Sequence, residues 1–285
     1  MTPAPFAASL WMLASCVAFT AMSAMAHALG GRCSWPVVAF SRAVLAFLFA
    51  SLLVRRARAR FIIWRPRSIW LRSIAGSCSM LLTFYALPRL PLANTAVLTN
   101  TAPLWIGLLS WPVLGKAPTR SVWVAILLSL VGVAIIQRPE RDVDPFASAA
   151  AAGAAVCTSF AMMGLHRVAA LDHRAVVAHF SATAAVFTFA ASLVVGGGHF
   201  PAPPDDVRVW QLLVAVGLSA TIGQLFMTRA YAKAHPANVA VVGLSQVVFG
   251  LILDVVLWGR PVDAWTLIGI ALVAGPTGWV MATGQ

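Results

Sequence analysis

Charge is what this chain has least of. Only 10% of its 285 residues are Asp, Glu, Lys or Arg, against about 25% in a soluble domain. Eight acids face twenty bases, and of those bases only Lys116 and Lys233 are lysines. A chain that is 60% hydrophobic, with a mean hydropathy of +0.87, cannot clothe a globule in polar side chains. A soluble enzyme, an extended nucleic-acid binder and a disordered chain are thereby excluded. Cysteine is scarce too: four in all, with Cys16, Cys78 and Cys157 inside apolar runs and only Cys33 in a loop, so no disulfide framework is implied. There is no HExxH, GxSxG or GxxxxGK[ST] motif, and no His, Cys or acid cluster with metal-ligand spacing. Metal hydrolysis, a serine nucleophile and ATP as the direct energy source all lack their residues. No cofactor is expected, and the protein is read as not an enzyme.

What is present is length of apolar chain. A spanning helix takes about 20 mostly apolar residues, and ten such runs occur, at roughly 6–28, 35–54, 69–87, 91–114, 120–136, 146–166, 174–195, 209–231, 237–258 and 263–283. Turn chemistry separates them, as at Gly30-Gly31, Pro88 to Pro91, Lys116-Ala117-Pro118, Gly196 to Gly198, His235-Pro236 and Arg260-Pro261. The expected fold class is an all-α integral membrane protein of ten transmembrane helices joined by short connectors. Ala24-Met25-Ala26 resembles a signal-peptidase site, but no base precedes Arg32 and the run is long, so the first run is read as a retained span.

Loop bases set the expected orientation. With the N-terminus inside, thirteen bases fall in cytoplasmic loops: Arg55, Arg56, Arg58, Arg60, Arg65, Arg67, Arg72, Lys116, Arg120, Arg167, Arg174, Arg229 and Lys233. Six lie outside: Arg32, Arg89, Arg138, Arg141, Arg208 and Arg260. Glu140, Asp142, Asp144, Asp205, Asp206 and Asp263 are also placed outside. Both termini are therefore expected in the cytoplasm of a bacterial inner membrane. The basic charge is a topology signal and an anionic-lipid contact, not a nucleic-acid footprint. The expected partners are a small-molecule substrate and membrane lipids, in a monomer or homodimer.

The chain is also written twice. Shifted by 144, residues 72–138 overlay 216–282 without a gap: Ala93-Asn94 meets Ala237-Asn238, and Gly115-Lys116 meets Gly259-Arg260. Shifted by 140, Val37, Phe40 and Ser41 of the second span recur as Val177, Phe180 and Ser181 of the seventh; at 141, Cys16 and Phe19 meet Cys157 and Phe160. Two units of five helices result, 1–139 and 140–285. Five is odd, so the second unit inserts upside down relative to the first. Inverted repeats of this kind are a recurring build of secondary transporters, with the substrate site near the midplane.

Three local patterns resemble the drug/metabolite transporter superfamily, specifically its EamA-type permeases: Phe40-Ser41-Arg42-Ala43, then Tyr85-Ala86-Leu87 through Pro91-Leu92-Ala93-Asn94, and Thr101-Ala102-Pro103-Leu104 followed by Gly115. The chain departs from the pattern where Lys116 and Arg260 replace a common glutamate, and where Gln246-Val247 replaces a common proline. The resemblance implies export of amino acids or related metabolites by alternating access through a central cavity. The alternatives weighed are an intramembrane enzyme, a channel, and a structural or signalling membrane protein without transport activity.

Polar side chains inside apolar spans are the candidate substrate ligands. Arg42 is deep in the second span and reads either as an anion anchor or as a structural arginine. Asn100 and Gln246 lie at matching heights, near Pro103, which leaves a carbonyl unpartnered; they read as lining or as interhelical glue. Tyr85, Trp105, His179 and Gln224 complete the set, and Trp11 is the other tryptophan placed near the cavity. Asp254, the only carboxylate within a span, and His179 are the candidates for proton or ion coupling. Arg229, His166 and most tryptophans read as snorkelling and belt residues at span ends. The fifth and tenth spans are expected to stand away from the cavity.

Overall fold

The computed structural model describes residues 4–29, 32–86, 89–139, 143–195, 206–259 and 261–283. Arg141, Arg260, Glu140, Asp142 and Asp205 from the loop counts lie outside the described residues, as does the side chain of Trp258. Twelve helices and no strand occur among those described: α1 (Ala4–Ala28), α2 (Trp35–Arg56), α3 (Ser68–Ala86), α4 (Leu92–Thr99), α5 (Ala102–Leu114), α6 (Arg120–Gln137), α7 (Pro145–Arg167), α8 (His173–Val195), α9 (Val207–Lys233), α10 (Pro236–Gly243), α11 (Ser245–Trp258) and α12 (Ala264–Thr283).

Local sequence explains most boundaries. Pro36, Pro145 and Pro236 occupy first turns, where a missing N–H costs nothing. Asp144 and Asp206 accept hydrogen bonds from the amides of Phe146 and Arg208, at 2.9 and 2.8 Å, capping α7 and α9. Gly115 and Gly259 end α5 and α11 at φ of 70° and 65°, a left-handed conformation for which glycine is the ready residue.

Two of the ten apolar runs are broken helices, and they break at the same place. α4 and α10 end at 99 and 243, and α5 and α11 end at 114 and 258, so each matching pair lies 144 residues apart. In the first break Pro103 has no N–H for the carbonyl of Thr99, and the Asn100 amide and Thr101 hydroxyl fold back onto the carbonyls of Ala96 and Leu98, at 2.7 and 2.6 Å. The second break has no proline. There α1 supplies the missing partners: Cys16 Sγ donates to the carbonyl of Gly243 at 3.4 Å and Thr20 Oγ1 to that of Gln246 at 3.5 Å.

Nine segments among the described residues are long and apolar enough to cross a membrane. α3 is not one of them, because Arg72, Ser73, Ser77 and Ser79 lie on its buried face. This corrects the loop count: Arg72 is 2% exposed inside a helix, which leaves twelve bases against six. α3 packs on α7 and α8, α1 on α9, α2 on α8, and α6 on α12. Close approaches need small residues. A Cβ at Gly132 would stand 2.7 Å from the carbonyl oxygen of Gly269, and one at Gly164 would stand 2.7 Å from the amide of Arg72.

The packing is uneven along the bundle. The largest buried cluster joins Met12 and Cys16 of α1, Ile69 of α3, Ile126 of α6, Met163 and Leu165 of α7, Val176 of α8, Tyr231 of α9, Val241 of α10 and Val280 of α12. Most of these lie toward the end where α1 begins and α12 ends, here termed the proximal end. The distal end, where α1, α6 and α11 finish, is less filled.

Candidate functional site

A cavity of about 620 Å³ opens toward the distal end. Its polar lining comes from four helices: Thr20, Ser23 and His27 of α1, Thr99 and Asn100 of α4, Gln137 of α6, and Gln246 and Asp254 of α11. Each helix presents these residues for a simple reason. Thr20, Ser23 and His27 recur at helical spacing, as do Gln246, Gly250 and Asp254, so each set forms one stripe. Asn100 is the residue at which α4 stops, and Gln246 is the second residue of α11. The two helix breaks therefore deliver both amides to the cavity. The size suits a small organic solute.

Of the eight residues that sequence reasoning singled out, the structure brings together Asn100, Gln246 and Asp254. The others are elsewhere. Arg42 and Gln224 line a separate, nearly closed void of about 10 Å³ among α2, α3, α8 and α9, with Met80, Phe180 and Ser181. Arg42 donates to Met80 Sδ at 3.5 Å. Gln224 Oε1 accepts from Arg72 at 2.8 Å, and the Arg72 guanidinium also lies 4.1 Å from the centre of the Phe180 ring. Among the described residues no acidic side chain lines that void. Arg42 and Asp254 do not share a cavity.

His179 is enclosed by α3 and the segment before it. A carbonyl can only accept, so Nε2 donates to the oxygen of Ile63 at 3.2 Å, and in a neutral ring Nδ1 accepts from Ser73 Oγ at 2.7 Å. Trp70 meets the ring edge-on at 4.7 Å between centroids. Tyr85 is 43% exposed and lies under the guanidinium of Arg89 at 4.0 Å. Trp105 is half-buried on α5 and does not line the cavity. Trp11, expected near the cavity, stacks on Phe226 at 5.3 Å and lies beneath Arg229.

The two proximal residues read as snorkelling are bonded: His166 Nδ1 donates to the carbonyl of Tyr231 at 2.8 Å and Arg229 Nε to His173 Nε2 at 3.1 Å. Arg167, counted as a loop base, donates to the carbonyl of Val113 at 2.8 Å. α12 contributes nothing to the cavity and α6 only Gln137, close to the expectation for the fifth and tenth spans. Their distal ends are joined by an ion pair of Arg138 with Asp263. Sequence reasoning missed Arg72, and it also missed Gln137, Thr20 and Ser23. Arg72 is the last of the seven bases from Arg55 to Arg72 and reads as part of that loop, which disguised it; the small hydroxyls carry no signal distinct from ordinary helix polarity.

The model of the EamA-like transporter family matches residues 6–138 and 145–280. The pseudopaline exporter CntI of Pseudomonas aeruginosa is 26% identical over 261 residues, covering 90% of this chain and 89% of that protein. An uncharacterized transporter of Helicobacter pylori is 28% identical over 216 residues, 71% of this chain and 69% of that one. Solute carrier family 35 member G1 of Homo sapiens is 25% identical over 225 residues, 73% and 60%. A solved crystal structure superposes with a TM-score of 0.82 over 97% of this chain and 96% of the other at 19% identity, a likeness of fold.

Proposed function

Because the chain belongs to the EamA-like transporter family, we propose that it is a secondary carrier exporting small organic metabolites such as amino acids, by alternating access between two inverted five-helix repeats, 1–139 and 140–285. The observation that carries this is the one-sided cavity lined by Asn100 and Gln246, each beside a helix break that recurs 144 residues on.

The packing supports the repeats. If the first five spans exchange with the second five, the α1–α9 contact becomes α7–α3, while α2–α8 and α6–α12 map onto themselves. These are the most extensive contacts in the bundle. Such a symmetric object can rock about its centre, closing the distal cavity and opening a proximal one. With the termini cytoplasmic, as the loop bases suggest, the distal cavity faces outside the bacterial inner membrane. That is the state in which an exporter releases solute. An exporter among the relatives supports the direction.

In this reading Asn100 and Gln246 hold the solute, Asp254 is the candidate for coupling to protons or ions, and Arg42, Gln224, Tyr85, Trp105 and His179 act in states where the halves have moved. Purified protein in liposomes, loaded with one amino acid and offered a labelled one, should show saturable uptake accelerated by the internal solute. Flux that rises linearly with concentration and ignores internal solute would overturn the carrier. Cysteines at Arg58 and Arg138 should label from opposite faces of the membrane; labelling from one face would overturn the topology.

A further inference from the structure

Two guanidinium groups lie within the bundle with little to hold them. Arg72, 2% exposed, donates to Gln224 and stacks on the Phe180 ring, but its Nε has no hydrogen-bond partner among the described residues. Arg42 bonds the thioether of Met80 at 3.5 Å, and sulfur is a weak acceptor. Both groups lie along α3. A Cβ at Gly76 would stand 2.5 Å from Arg72 Nη1, so Arg72 reaches the level of residue 76. Met80, which holds Arg42, is four residues on, about 6 Å along the axis. Like charges brought together inside a bundle are costly unless an opposite charge joins them. The described carboxylates are engaged elsewhere. Asp144, Asp172 and Asp206 bond amides at helix starts, Asp263 pairs with Arg138, and Asp254 lines the distal cavity.

What Arg42 does face is the void of about 10 Å³, room for one occupant about the size of a water molecule. The side chains around it can donate. A guanidinium cannot accept a hydrogen bond, so Gln224 turns its oxygen to Arg72, and its amide N–H groups are left for the void. The Ser181 hydroxyl also lines the void and can rotate to donate. The rest of the wall is Met80, Phe180 and four alanines. Met80 is the most adaptable part of that wall, because three rotatable bonds let a methionine side chain move aside.

We propose that this void among α2, α3, α8 and α9 is a binding site for one small monovalent anion, a halide or a compact carboxylate. The anion displaces the Met80 thioether from Arg42 and accepts from the Gln224 amide and the Ser181 hydroxyl. It thereby supplies one counter-charge to Arg42 and Arg72 together. The site is separate from the distal cavity and stands whether or not that cavity carries solute.

The full chain, purified in detergent and exchanged into sodium gluconate, whose anion is too large for the void, provides the test. Gluconate is replaced stepwise by chloride, bromide, formate or acetate at constant ionic strength, and the melting temperature is read at each step. A saturable rise of about 5 °C is expected, the size for a ligand at roughly one hundred times its Kd. Arg42→Met should abolish the rise, and Arg56→Met, at the exposed end of the same helix, should keep it. A response to chloride and bromide identifies the occupant as a free halide. A response to formate and acetate alone identifies it as a carboxylate. A rise that never saturates, no rise with any of the four anions, or a rise that survives Arg42→Met would overturn the proposal. Where Arg42→Met does not fold, equilibrium binding of radiolabelled chloride and formate to the unchanged chain decides. About one ion per chain, displaced by its unlabelled form but not by gluconate, supports the site, and no saturable binding of either overturns it.

Discussion

The two ends of the bundle are built from different chemistry. At the proximal end guanidinium and imidazole groups lace helices together: Arg167 to Val113, His166 to Tyr231, and Arg229 to His173 across Trp11. Beneath them lies the largest buried apolar cluster among the described residues. At the distal end a carboxylate and three amides face about 620 Å³ of space, and one exposed ion pair joins α6 to α12. At the proximal end donors and acceptors satisfy one another across helices, and at the distal end polar side chains line open space.

Five substitutions would break or sharpen this contrast. The largest effect is expected in the packed interior, at Gln224→Leu. Removing the side-chain oxygen that, among the described residues, bonds the buried Arg72 guanidinium should cost about 1.5–3 kcal/mol, the range for hydrogen bonds to charged groups. A fall in melting temperature of the detergent-purified protein checks it, and an unchanged melt would mean that the guanidinium finds another acceptor.

Glycines give the most direct comparison. Gly164→Ala puts a Cβ 2.7 Å from the Arg72 amide and should destabilise by about 1–3 kcal/mol through overpacking. Gly250→Ala adds a Cβ to open space on the distal side and should stabilise by up to about 1 kcal/mol, because alanine favours helix. Equal destabilisation by both would mean that the distal cavity is occupied in the folded protein. Next comes Gln246→Ala, which should weaken apparent solute affinity about tenfold, equivalent to about 1.4 kcal/mol, in counterflow titrations at an unchanged melting temperature. A lowered melt with unaltered affinity would assign Gln246 to helix packing instead.

The smallest effect is expected at Arg138→Ala, since exposed pairs contribute little. Hydrogen bonds from Arg138 and from Thr266 hold the Asp263 carboxyl well below the usual carboxylate range. A depressed carboxylate stabilises the fold above the unfolded pKa of about 3.9 and loses that contribution as pH falls through its lower folded value. Melts of the parent chain and the variant should therefore differ slightly above about pH 4, neutrality included, and coincide at strongly acidic pH. A large difference at pH 7 would show that the latch governs the distal end.

Much of the fold was legible before any coordinate. Ten apolar runs and their proline and glycine punctuation anticipate where the described helical segments begin and end within a few residues, though not that two of the runs are broken in the middle, because a span must be apolar and long whatever it packs against. The site was legible only in part. Asn100 could be placed from Pro103, whose missing N–H marks a break in sequence. The matching break before Gln246 has no such mark, since Cys16 and Thr20 of a distant helix supply its partners. Arg72 was hidden for the converse reason: four residues into α3, it reads as the last base of a loop until Gln224 and Phe180 are seen around it.

The sequence by itself determined that this protein lives in a membrane and where its apolar passages lie along the chain. Those facts depend on hydropathy and spacing, which are local. Only the tertiary structure decided that Asn100, Gln246 and Asp254 share a cavity while Arg42, Gln224 and His179 do not, and which end is open. Those facts depend on which face of each helix meets which neighbour. Ten apolar helices leave that choice to a few glycine contacts and buried hydrogen bonds between residues up to about two hundred positions apart.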